Sequence, residues 1–584
     1  MSKMISLTID GVKVQVEEGT TVLEAARKAN IRIPTLCFLE EINEIGACRM
    51  CVVETGARTL QASCVLKATE GMDVKTNTRR VRHARKAVLE LILSNHDQQC
   101  LSCARSQSCE LQRLAKELEV FDSHTYKGER TDYKVDDFSP SIVRDNNKCI
   151  NCRRCVSTCF KKQAVGVIGP VGRGFTTSIE SPWKMHLSET ACIGCGQCIA
   201  ACPVGALREK DESPLVWKLL HDPKKHVVVQ TAPAVRAALG EEFGMPIGTN
   251  VTGKMVAALR RLGFDQVFDT DFAADLTIME EATELVSRIQ NNGVLPMITS
   301  CSPGWINFCE TFYPEFIPNL STCKSPHEML GAIIKSYYAE KTGIATGDIA
   351  VVSVMPCTAK KNEADRPQLA ALGVPDVDAV ITTRELAKMI KSNGVDFVSL
   401  PDEEYDSLLG DSTGAATIFG ATGGVMEAAL RTAYETITGK TLENLDFHAV
   451  RGLKGIKEAD VQIGDLTLRI AVAHSTANAK ILLDSIKSGE KSYHFIEIMG
   501  CEGGCVNGGG QPIVTDETRA RVDHRTLRAK ALYTADAGSV RRKSHENPGI
   551  QRLYKEYLGT PNSQKAHHLL HTHYEKHSKY RQSV

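Results

Sequence analysis

The residues with the clearest chemical signature lie near the C-terminal end, in the stretch Met499–Pro512 (MGCEGGCVNGGGQP). Cys501 and Cys505 stand four positions apart between glycines, directly after the apolar run His494–Met499. Glycine permits a positive φ and a close approach of the backbone to a bulky group, so this loop is typical of one that wraps a ligand. Paired thiolates favour a soft metal or an iron–sulfur cluster. Two buried structural cysteines in a turn are the alternative.

Cysteine is abundant in the rest of the chain, with 21 residues among 584. Most of them lie before residue 203 in tight groups, and the others are spread over the larger C-terminal part. The N-terminus alternates apolar and polar residues and lacks the apolar core of a signal peptide. We therefore expect metal ligands rather than disulfides, and a cytoplasmic location.

The charge balance excludes several classes of partner. Lys and Arg number 70, and so do Asp and Glu, which gives a formal net charge of zero. This balance predicts no nucleic-acid or membrane-surface partner. No apolar run approaches the ~18 residues of a transmembrane helix.

The first module, residues 1–78, is predicted to begin with two strands that turn at Asp10-Gly11, followed by the helix TVLEAARKAN. The cysteines after it have the spacing C-x10-C-x2-C-x12-C, which fits a [2Fe–2S] site. The β-grasp pattern with this spacing resembles a plant-type ferredoxin domain, in the version fused to large oxidoreductases. A structural zinc is the alternative. The predicted ligands are Cys37, Cys48, Cys51 and Cys64.

The second module, residues 79–127, starts with the amphipathic pattern RRVRHARKAVLELILSNH, for which we expect Val81, Val88, Leu91 and Ile92 to face inward. The motif H-x3-C-x2-C-x5-C follows, and it indicates a [4Fe–4S] cluster with one imidazole ligand. It resembles the His/Cys3 module shared by iron–iron hydrogenases and the large iron–sulfur subunit of respiratory NADH dehydrogenase. Its predicted ligands are His96, Cys100, Cys103 and Cys109.

The third module, residues 140–210, contains an internal repeat of C-x2-C-x2-C-x3-C. This is the bacterial two-cluster ferredoxin pattern, in which each fourth cysteine serves the other cluster. Cys202 is followed by Pro203 as the pattern expects, but Cys159 is followed by Phe160. The predicted ligand sets are Cys149, Cys152, Cys155 and Cys202 for one [4Fe–4S] cluster, and Cys192, Cys195, Cys198 and Cys159 for the other.

From about Pro214 onward, short Val/Ile-rich runs alternate with helical stretches, which indicates a largely parallel sheet buried on both faces. Three runs deliver cysteine at the carboxyl end of a predicted strand: Cys301, Cys357, and Cys501 with Cys505. Ligands bind at this edge in open α/β sheets. For the His-rich tail we favour a solvated helix over a metal site; its histidines are His567, His568, His571 and His573.

Three segments of the α/β part are similar to the signature segments of iron–iron hydrogenases. They are TSCSPGW (Thr299–Trp305), MPCTAKK (Met355–Lys361) and EIMGCEGGCVNGGG (Glu497–Gly510). Together with the upstream modules, the resemblance covers essentially the whole chain and matches the large monomeric clostridial type. It implies a multidomain α+β and α/β protein, with a large α/β H-cluster domain at 211–505 and a small-subunit-like wrapping segment at 506–584.

The same resemblance implies a catalytic H-cluster, which is a [4Fe–4S] cubane joined through a cysteine sulfur to a di-iron site with CO, cyanide and a dithiolate bridge. By position, Cys357, Cys501 and Cys505 ligate the cubane, and Cys505 bridges to the di-iron site. Lys360 then places its cation against a cyanide. The other implied pocket positions are Ala232, Pro233, Ala234, Met355, Phe419 and Met499.

A proton path is implied as well. Cys301 occupies the position of the proton-transfer thiol, and a thiol relays protons in either direction. Glu281 and Glu284 lie three positions apart on one predicted helix face and match the relay carboxylates. Ser321 matches the hydroxyl between them, and Arg288 matches the outer residue.

Three positions depart from the family pattern. Ser302 stands where the fourth cubane cysteine is common, and oxygen is a harder donor than thiolate. Either Ser302 fills that position or Cys301 turns to do so; because neighbouring strand residues point opposite ways, we favour Cys301 on the proton path. Ala234 replaces a common serine, and His327 replaces a common glutamine.

The sequence thus predicts a cytoplasmic hydrogenase that interconverts protons and H2, exchanges electrons with ferredoxin and depends on hydrogenase maturation proteins. One alternative is a sensory or low-turnover member, or the hydrogenase subunit of an NAD-linked complex. A non-catalytic iron–sulfur carrier or assembly protein is the alternative from another class. The large subunit of NADH dehydrogenase fits only the front of the chain.

Overall fold

Three small modules precede a two-sheet α/β domain in the computed structural model, which describes residues 3–121, 126, 131–464 and 466–580. Part of the predicted end of the second module, which we set at residue 127, lies outside the described residues. Within the described ranges, no helix combines the length and the apolar character needed to cross a bilayer.

The N-terminal module is a small sheet with one packed helix. Strands β1 (Met4–Ile9) and β2 (Val12–Glu17) form the predicted antiparallel hairpin, and β5 (Asp73–Val74) pairs parallel to β1. Helix α1 (Val22–Lys28) begins at a capping box of Thr21 and Glu24, in which each side chain bonds the other residue's backbone N–H. The short pair β3 (Val52–Val53) and β4 (Gln61–Ala62) lies next to the cysteines.

The second module consists of helices α2 (Arg79–Ser94) and α3 (Glu110–Glu117). The expectation that Leu91 faces inward was wrong, because its side chain is 50% exposed. The buried stripe instead contains Arg85, which donates to the Val52 carbonyl at 2.8 Å. The prediction treated Arg85 as a surface residue and therefore placed the buried face of the helix wrongly. The residues that share the buried face at i, i+4 spacing are Val81, Arg85, Leu89 and Leu93.

The third module has the two-fold symmetry of its sequence repeat. Helices α4 (Arg154–Ser157) and α5 (Gln197–Ala201) each follow a left-handed residue, at Arg153 and Gly196. Two antiparallel pairs flank them: β6 (Ile142–Arg144) with β9 (Leu207–Glu209), and β7 (Gly169–Val171) with β8 (Ser178–Glu180).

Two four-stranded sheets form the frame of the large domain. The first has the order β11-β10-β13-β14 and is entirely parallel, as predicted. The second has the order β12-β17-β16-β15, in which only the edge strand β15 runs antiparallel to its neighbour, so this sheet is largely parallel as predicted. The strands are β10 (His226–Thr231), β11 (Gln266–Asp269), β12 (Met297–Ile298), β13 (Ile349–Met355), β14 (Ala379–Thr382), β15 (Ile456–Ile463), β16 (Leu466–His474) and β17 (Phe495–Met499).

Helices cover the faces of these sheets, and most of their apolar residues are buried. The longest, α9, carries the predicted relay carboxylates and is buried along most of its length. The helices are α6 (Ser213–Leu220), α7 (Pro233–Arg236), α8 (Thr252–Leu262), α9 (Thr270–Gln290), α10 (Pro303–Phe312), α11 (Pro326–Ile333), α12 (Ala339–Thr342), α13 (Ala359–Ala364), α14 (Thr383–Ser392), α15 (Gly414–Thr417), α16 (Gly424–Thr438) and α17 (Thr476–Lys487).

The C-terminal segment packs back on the large domain. Arg431 of α16 is fully buried and donates to both carboxylate oxygens of Asp536 at 2.9 Å. The interpretation of the tail histidines as solvated was wrong for His571, which is only 7% exposed. The helices of this segment are α18 (Asp516–Arg519), α19 (His524–Gly538), α20 (Pro548–Leu553) and α21 (Gln564–Leu570).

Candidate active site

The two sheets converge on one buried group of thiols. Cys357 follows β13, whereas Cys501 and Cys505 follow β17. Burial raises the pKa of Cys501 well above its ordinary value, and the neighbouring thiols of Cys357 and Cys195 raise it further. Thiolates that are buried and repel one another require a cation among them, so this donor set fits iron.

Glycines let the signature loop pack against the loop of Cys357. Gly504 has a φ of 96°, and a Cβ there would lie 2.7 Å from the Thr422 amide nitrogen. At Gly508 a Cβ would lie 2.1 Å from the Pro356 carbonyl oxygen. Any side chain at either position would separate the loops that hold the thiols.

Cys301 and Ser302 lie in the loop between β12 and α10, which differs from the predicted strand. Strand β12 ends at Ile298, so alternation along a strand does not set their directions. Ser302 precedes α10, and its hydroxyl accepts from the Gly500 amide at 3.0 Å, next to Cys501. Burial raises the pKa of the Cys301 thiol well above its ordinary value, and the charge of Glu281 raises it further.

The predicted relay residues lie together behind Cys301, although neither carboxylate oxygen of the buried Glu281 has a hydrogen-bond partner among the described residues. Burial raises the pKa of Glu281 to about 8, and the nearby Glu284 charge adds to the effect. Glu284 accepts from the Ser321 hydroxyl at 2.9 Å and from the Arg288 guanidinium at 2.6 Å. The structure therefore brings together all five residues that the sequence indicated for a proton path.

Lys360 lies under the same site in a network of buried charges. Its ammonium donates to Glu363 at 2.7 Å and to the Cys301 carbonyl at 3.2 Å. His327 lies 2.7 Å from the same Glu363 oxygen. The histidine that replaces the family's common glutamine therefore contacts Glu363, the ion-pair partner of Lys360. Despite its burial, the ion pair with Glu363 raises the pKa of Lys360, which stays a cation.

Apolar side chains surround the thiols. Phe419 and Met499 belong to one buried cluster against which Cys301 and Cys505 pack. Ala234 packs with Val506 and Cys505. A Cβ on Gly420 would lie 2.5 Å from a Leu532 methyl group and 3.2 Å from the Ala234 methyl group. The remaining predicted pocket residues, Ala232, Pro233 and Met355, are also buried.

The accessory cysteines converge in the predicted sets. One cavity is lined by Cys149, Cys152, Cys155 and Cys202, and a second by Cys159, Cys192, Cys195 and Cys198. Each repeat thus contributes its fourth cysteine to the other cavity. Because these walls are otherwise mostly apolar, both cavities suit cubanes held by thiolates.

The four cysteines of the first module also lie together. The Sγ atoms of Cys51 and Cys64 are 3.3 Å apart, and the Cys37 amide donates to the Cys48 sulfur at 3.4 Å. In the second module Cys109 precedes α3, and the pKa of its thiol is raised by burial and, to a lesser degree, by Cys103. Backbone N–H groups aimed at sulfur are typical of iron–sulfur ligands.

Single residues join these sites to one another. The buried amide of Asn43 donates to the Cys37 carbonyl at 2.7 Å and to the Cys152 carbonyl at 3.0 Å. A Cβ on Gly205 would lie 2.4 Å from the Cys103 sulfur, and one on Gly509 would lie 2.3 Å from the Cys195 carbonyl oxygen. The first two modules therefore both contact the third, which in turn contacts the signature loop.

Comparison with known proteins gives full-length relatives. The "NADP-reducing hydrogenase subunit HndD" of Solidesulfovibrio fructosivorans is 52% identical over 585 residues, covering 98% of this chain and 99% of that one. "Iron hydrogenase 1" of Clostridium pasteurianum is 44% identical over 575 residues, covering 98% and 100%. The chain belongs to the iron–iron hydrogenase family. This confirms the resemblance drawn from the three signature segments.

Family models match this hydrogenase along its length. "Iron only hydrogenase large subunit, C-terminal domain" matches residues 225–509, and "Iron hydrogenase small subunit" matches 522–577. The front matches a "2Fe-2S iron-sulfur cluster binding domain" at 2–79, an "NADH-ubiquinone oxidoreductase-G iron-sulfur binding region" at 85–124 and a "4Fe-4S dicluster domain" at 148–206. A solved structure of a variant of apo [FeFe]-hydrogenase HydA1 from Chlamydomonas reinhardtii is 45% identical with a TM-score of 0.57, covering 63% of this chain and 100% of that one.

Sequence reasoning missed several residues of the hydrogenase site. Glu497 is fully buried on β17, where it accepts from the Gly423 and Met426 amides at 2.6 and 2.8 Å. Its signal was a single carboxylate inside the apolar run His494–Met499. Asn43 gave no such signal, because the carbonyl of Cys152 that it contacts lies far away in the chain.

Proposed function

We propose that this hydrogenase catalyses the reversible conversion of two protons and two electrons into H2 at an H-cluster. The buried convergence of Cys357, Cys501 and Cys505 at the edges of the two sheets is the observation that carries this proposal. These three thiolates would hold the cubane of the H-cluster, and Cys505 would be the ligand nearest to its di-iron part. When bound, the H-cluster supplies the iron chemistry of hydrogen and stores electrons.

The chain's own residues move the proton. Cys301 exchanges it with the reacting centre, Glu281 takes it up, and Ser321 and Glu284 carry it outward. A carboxyl whose pKa is about 8 is suited to this task, because it gains and loses protons near neutral pH. Arg288 orients Glu284 through its 2.6 Å ion pair.

The fourth donor to the cubane is assigned to Ser302. Its hydroxyl lies at the Gly500 amide, adjacent to Cys501, whereas Cys301 lies near Glu281 and Lys360. Lys360 provides a fixed cation for an anionic ligand of the di-iron site. The apolar lining by Phe419 and Met499 keeps water from the thiols.

We assign the accessory sites to one [2Fe–2S] cluster and three [4Fe–4S] clusters, held by the sixteen residues named above for residues 1–78, 79–127 and 140–210. The first two modules both contact the third beside the Cys149 set, through Asn43 and Gly205, so clusters held there would connect them. The Cys192 set would connect the third module to the H-cluster domain at 211–505, which the segment 506–584 covers.

Ferredoxin is the electron partner that we propose, and the maturation proteins are those that supply the di-iron site. A second candidate is service as the hydrogenase subunit of an NADP-linked complex, which the 52% identity to a subunit of an NADP-reducing hydrogenase favours. The cytoplasmic location stays a prediction.

The test is H2 evolution and uptake by anaerobically matured protein, with reduced ferredoxin and with a chemical mediator in parallel. Rapid turnover with both donors supports the whole proposal. Turnover with the mediator alone redirects the partner to a complex that carries the nucleotide site. H2 binding without turnover in either assay contradicts catalysis and favours the sensory alternative.

A further inference from the structure

A buried histidine of the C-terminal segment lies beside the outer end of the relay. His571 directly follows α21, and its Nε2 is 3.1 Å from a Glu280 oxygen. Its Nδ1 is 2.8 Å from the Thr322 hydroxyl. Glu280 is the residue before Glu281 on α9, so the imidazole is held against the helix that carries the relay carboxylates.

The imidazole is one water molecule away from Glu284. A ring nitrogen of His571, the Cys323 sulfur and a Glu284 oxygen all lie within 4.8 Å of one another. Two hydrogen bonds of about 2.8 Å through one water span that distance. Thr322 also links the two groups directly, since its amide donates to Glu284 at 3.2 Å while its hydroxyl contacts the ring.

Arg288 holds Glu284 but is unable to accept its proton. A guanidinium stays protonated at every physiological pH and has no acceptor site. Arg288 is further fixed by the Leu320 carbonyl at 2.7 Å. The proton that reaches Glu284 therefore needs another acceptor, and imidazole is the side chain that titrates near neutral pH.

A second imidazole connects His571 to the surface. The rings of His567 and His571 stack with centroids 4.4 Å apart and planes 8° apart. His567 is exposed, and its pKa is lowered by partial burial and by the charge of His571. Stacked rings do not hydrogen-bond to each other, so a proton passing between them would have to travel through water.

We propose that His571 is the group through which protons leave and enter the relay of this hydrogenase, a role that rests on the proposed function. The protonated Glu284 carboxyl gives its proton through a bridging water to neutral His571, which leaves Glu284 as a carboxylate and His571 as imidazolium. The imidazolium then releases a proton to water beside His567, and the reverse sequence serves H2 evolution. The ionisable groups that face the ring are Glu280, Glu284, Cys323 and His567.

The test compares His571→Gln with His568→Gln in the matured holoenzyme. His568 lies on the exposed side of the same helix and is the matched control. We expect kcat for H2 evolution to fall at least about tenfold in His571→Gln, as general acid–base contributions do. Added imidazole should restore part of it and the pH profile should change, while the CO and cyanide infrared bands stay unchanged.

A second variant tests the proposal if His571→Gln fails to fold. Thr322→Val removes the hydroxyl that contacts Nδ1 but keeps the pair of Glu280 and His571, and we expect a smaller loss that imidazole also restores. Wild-type kcat and pH profile in both variants, or losses that imidazole leaves unchanged, would overturn the assignment. An inactive wild-type enzyme in the same assay would instead contradict the proposed function.

Discussion

At the scale of single residues, the proposed proton path depends on the Cys301 thiol. Cys301→Ala removes the thiol without touching the three sulfurs assigned to the cubane. We expect H2 turnover to fall about 100-fold or more, because a positioned proton donor contributes at least that much, while the cluster signals in electron paramagnetic resonance persist. Cys309→Ala is the control, since Cys309 is a buried thiol of α10 that plays no part in the proposed path. Near-normal turnover in Cys301→Ala would contradict the relay assignment.

Glu281 makes the stability of the folded protein depend on pH. Its pKa rises from an ordinary 4.5 to about 8 in the folded state, so the folded protein keeps a proton that the unfolded chain loses between these values. The contribution of Glu281 to stability is therefore largest below about pH 4.5 and is lost as the pH rises towards 8.

Glu281→Gln mimics the protonated form at every pH. We expect its melting temperature to exceed that of the wild type by a margin that grows from pH 5 to pH 8, while H2 turnover is lost. Thermal scans of both proteins at several pH values measure the margin. Glu340→Gln, at an exposed position of α12, should show a constant difference; a constant margin for Glu281→Gln as well would refute the buried protonated carboxyl.

Ser302 is the residue that we propose as the fourth donor to the cubane. Replacing this oxygen with sulfur in Ser302→Cys supplies the softer ligand that iron prefers. We expect slower loss of iron to a chelator and a shifted cubane reduction potential, both measurable in protein matured in parallel with the wild type. Identical iron loss and potential in the two proteins would mean that residue 302 does not ligate iron.

At the scale of elements, the contact between the third module and the signature loop depends on missing side chains. A Cβ at Gly509 would lie 2.3 Å from the Cys195 carbonyl oxygen, so Gly509→Ala must push the two loops apart. Electron transfer slows steeply with distance, so we expect H2 uptake with an external acceptor to fall several-fold.

Exchange of D2 with solvent protons needs no external electrons and should be retained in Gly509→Ala. Gly347→Ala is the matched control, since a Cβ at Gly347 has no neighbour within 4 Å among the described residues. Loss of exchange together with uptake would place the damage in the active site instead of the contact.

The elements show what the sequence can predict. Spacing and periodicity gave the hairpin at Asp10-Gly11 and the strands β10 and β13, because each depends on residues near in sequence. The swap of Cys159 and Cys202 between the two cavities joins distant residues, and it was predicted from the two-cluster pattern of the repeat. Leu91 and His571 were misjudged because their burial depends on partners far along the chain. The direction of β15 and the two-residue length of β12 follow from sheet assembly, which local pattern does not record.

At the scale of the whole molecule, buried charges fasten the C-terminal segment to the catalytic domain. Arg431 pairs with Glu427 at 2.7 Å and with Asp536, and its side chain has no exposed surface. Arg431→Met leaves these carboxylates short of a buried cation, which costs about 3 kcal/mol. We expect faster proteolytic release of the segment after α19. Arg521→Met, at a 74% exposed arginine, should change the rate little; equal rates in both variants would contradict the role of the buried network.

The peptide connection across residue 506 carries a further consequence. The stretch that matches the small-subunit model, 522–577, is continuous with the domain that it covers, and it carries His571. The segment therefore docks on its own domain within one chain. Its effective concentration at that domain depends on the connecting peptide instead of on the protein concentration. With a chemical mediator as electron donor, we expect specific activity to stay constant on dilution, because the covering segment, and with it the proposed proton outlet at His571, cannot dissociate from its own domain.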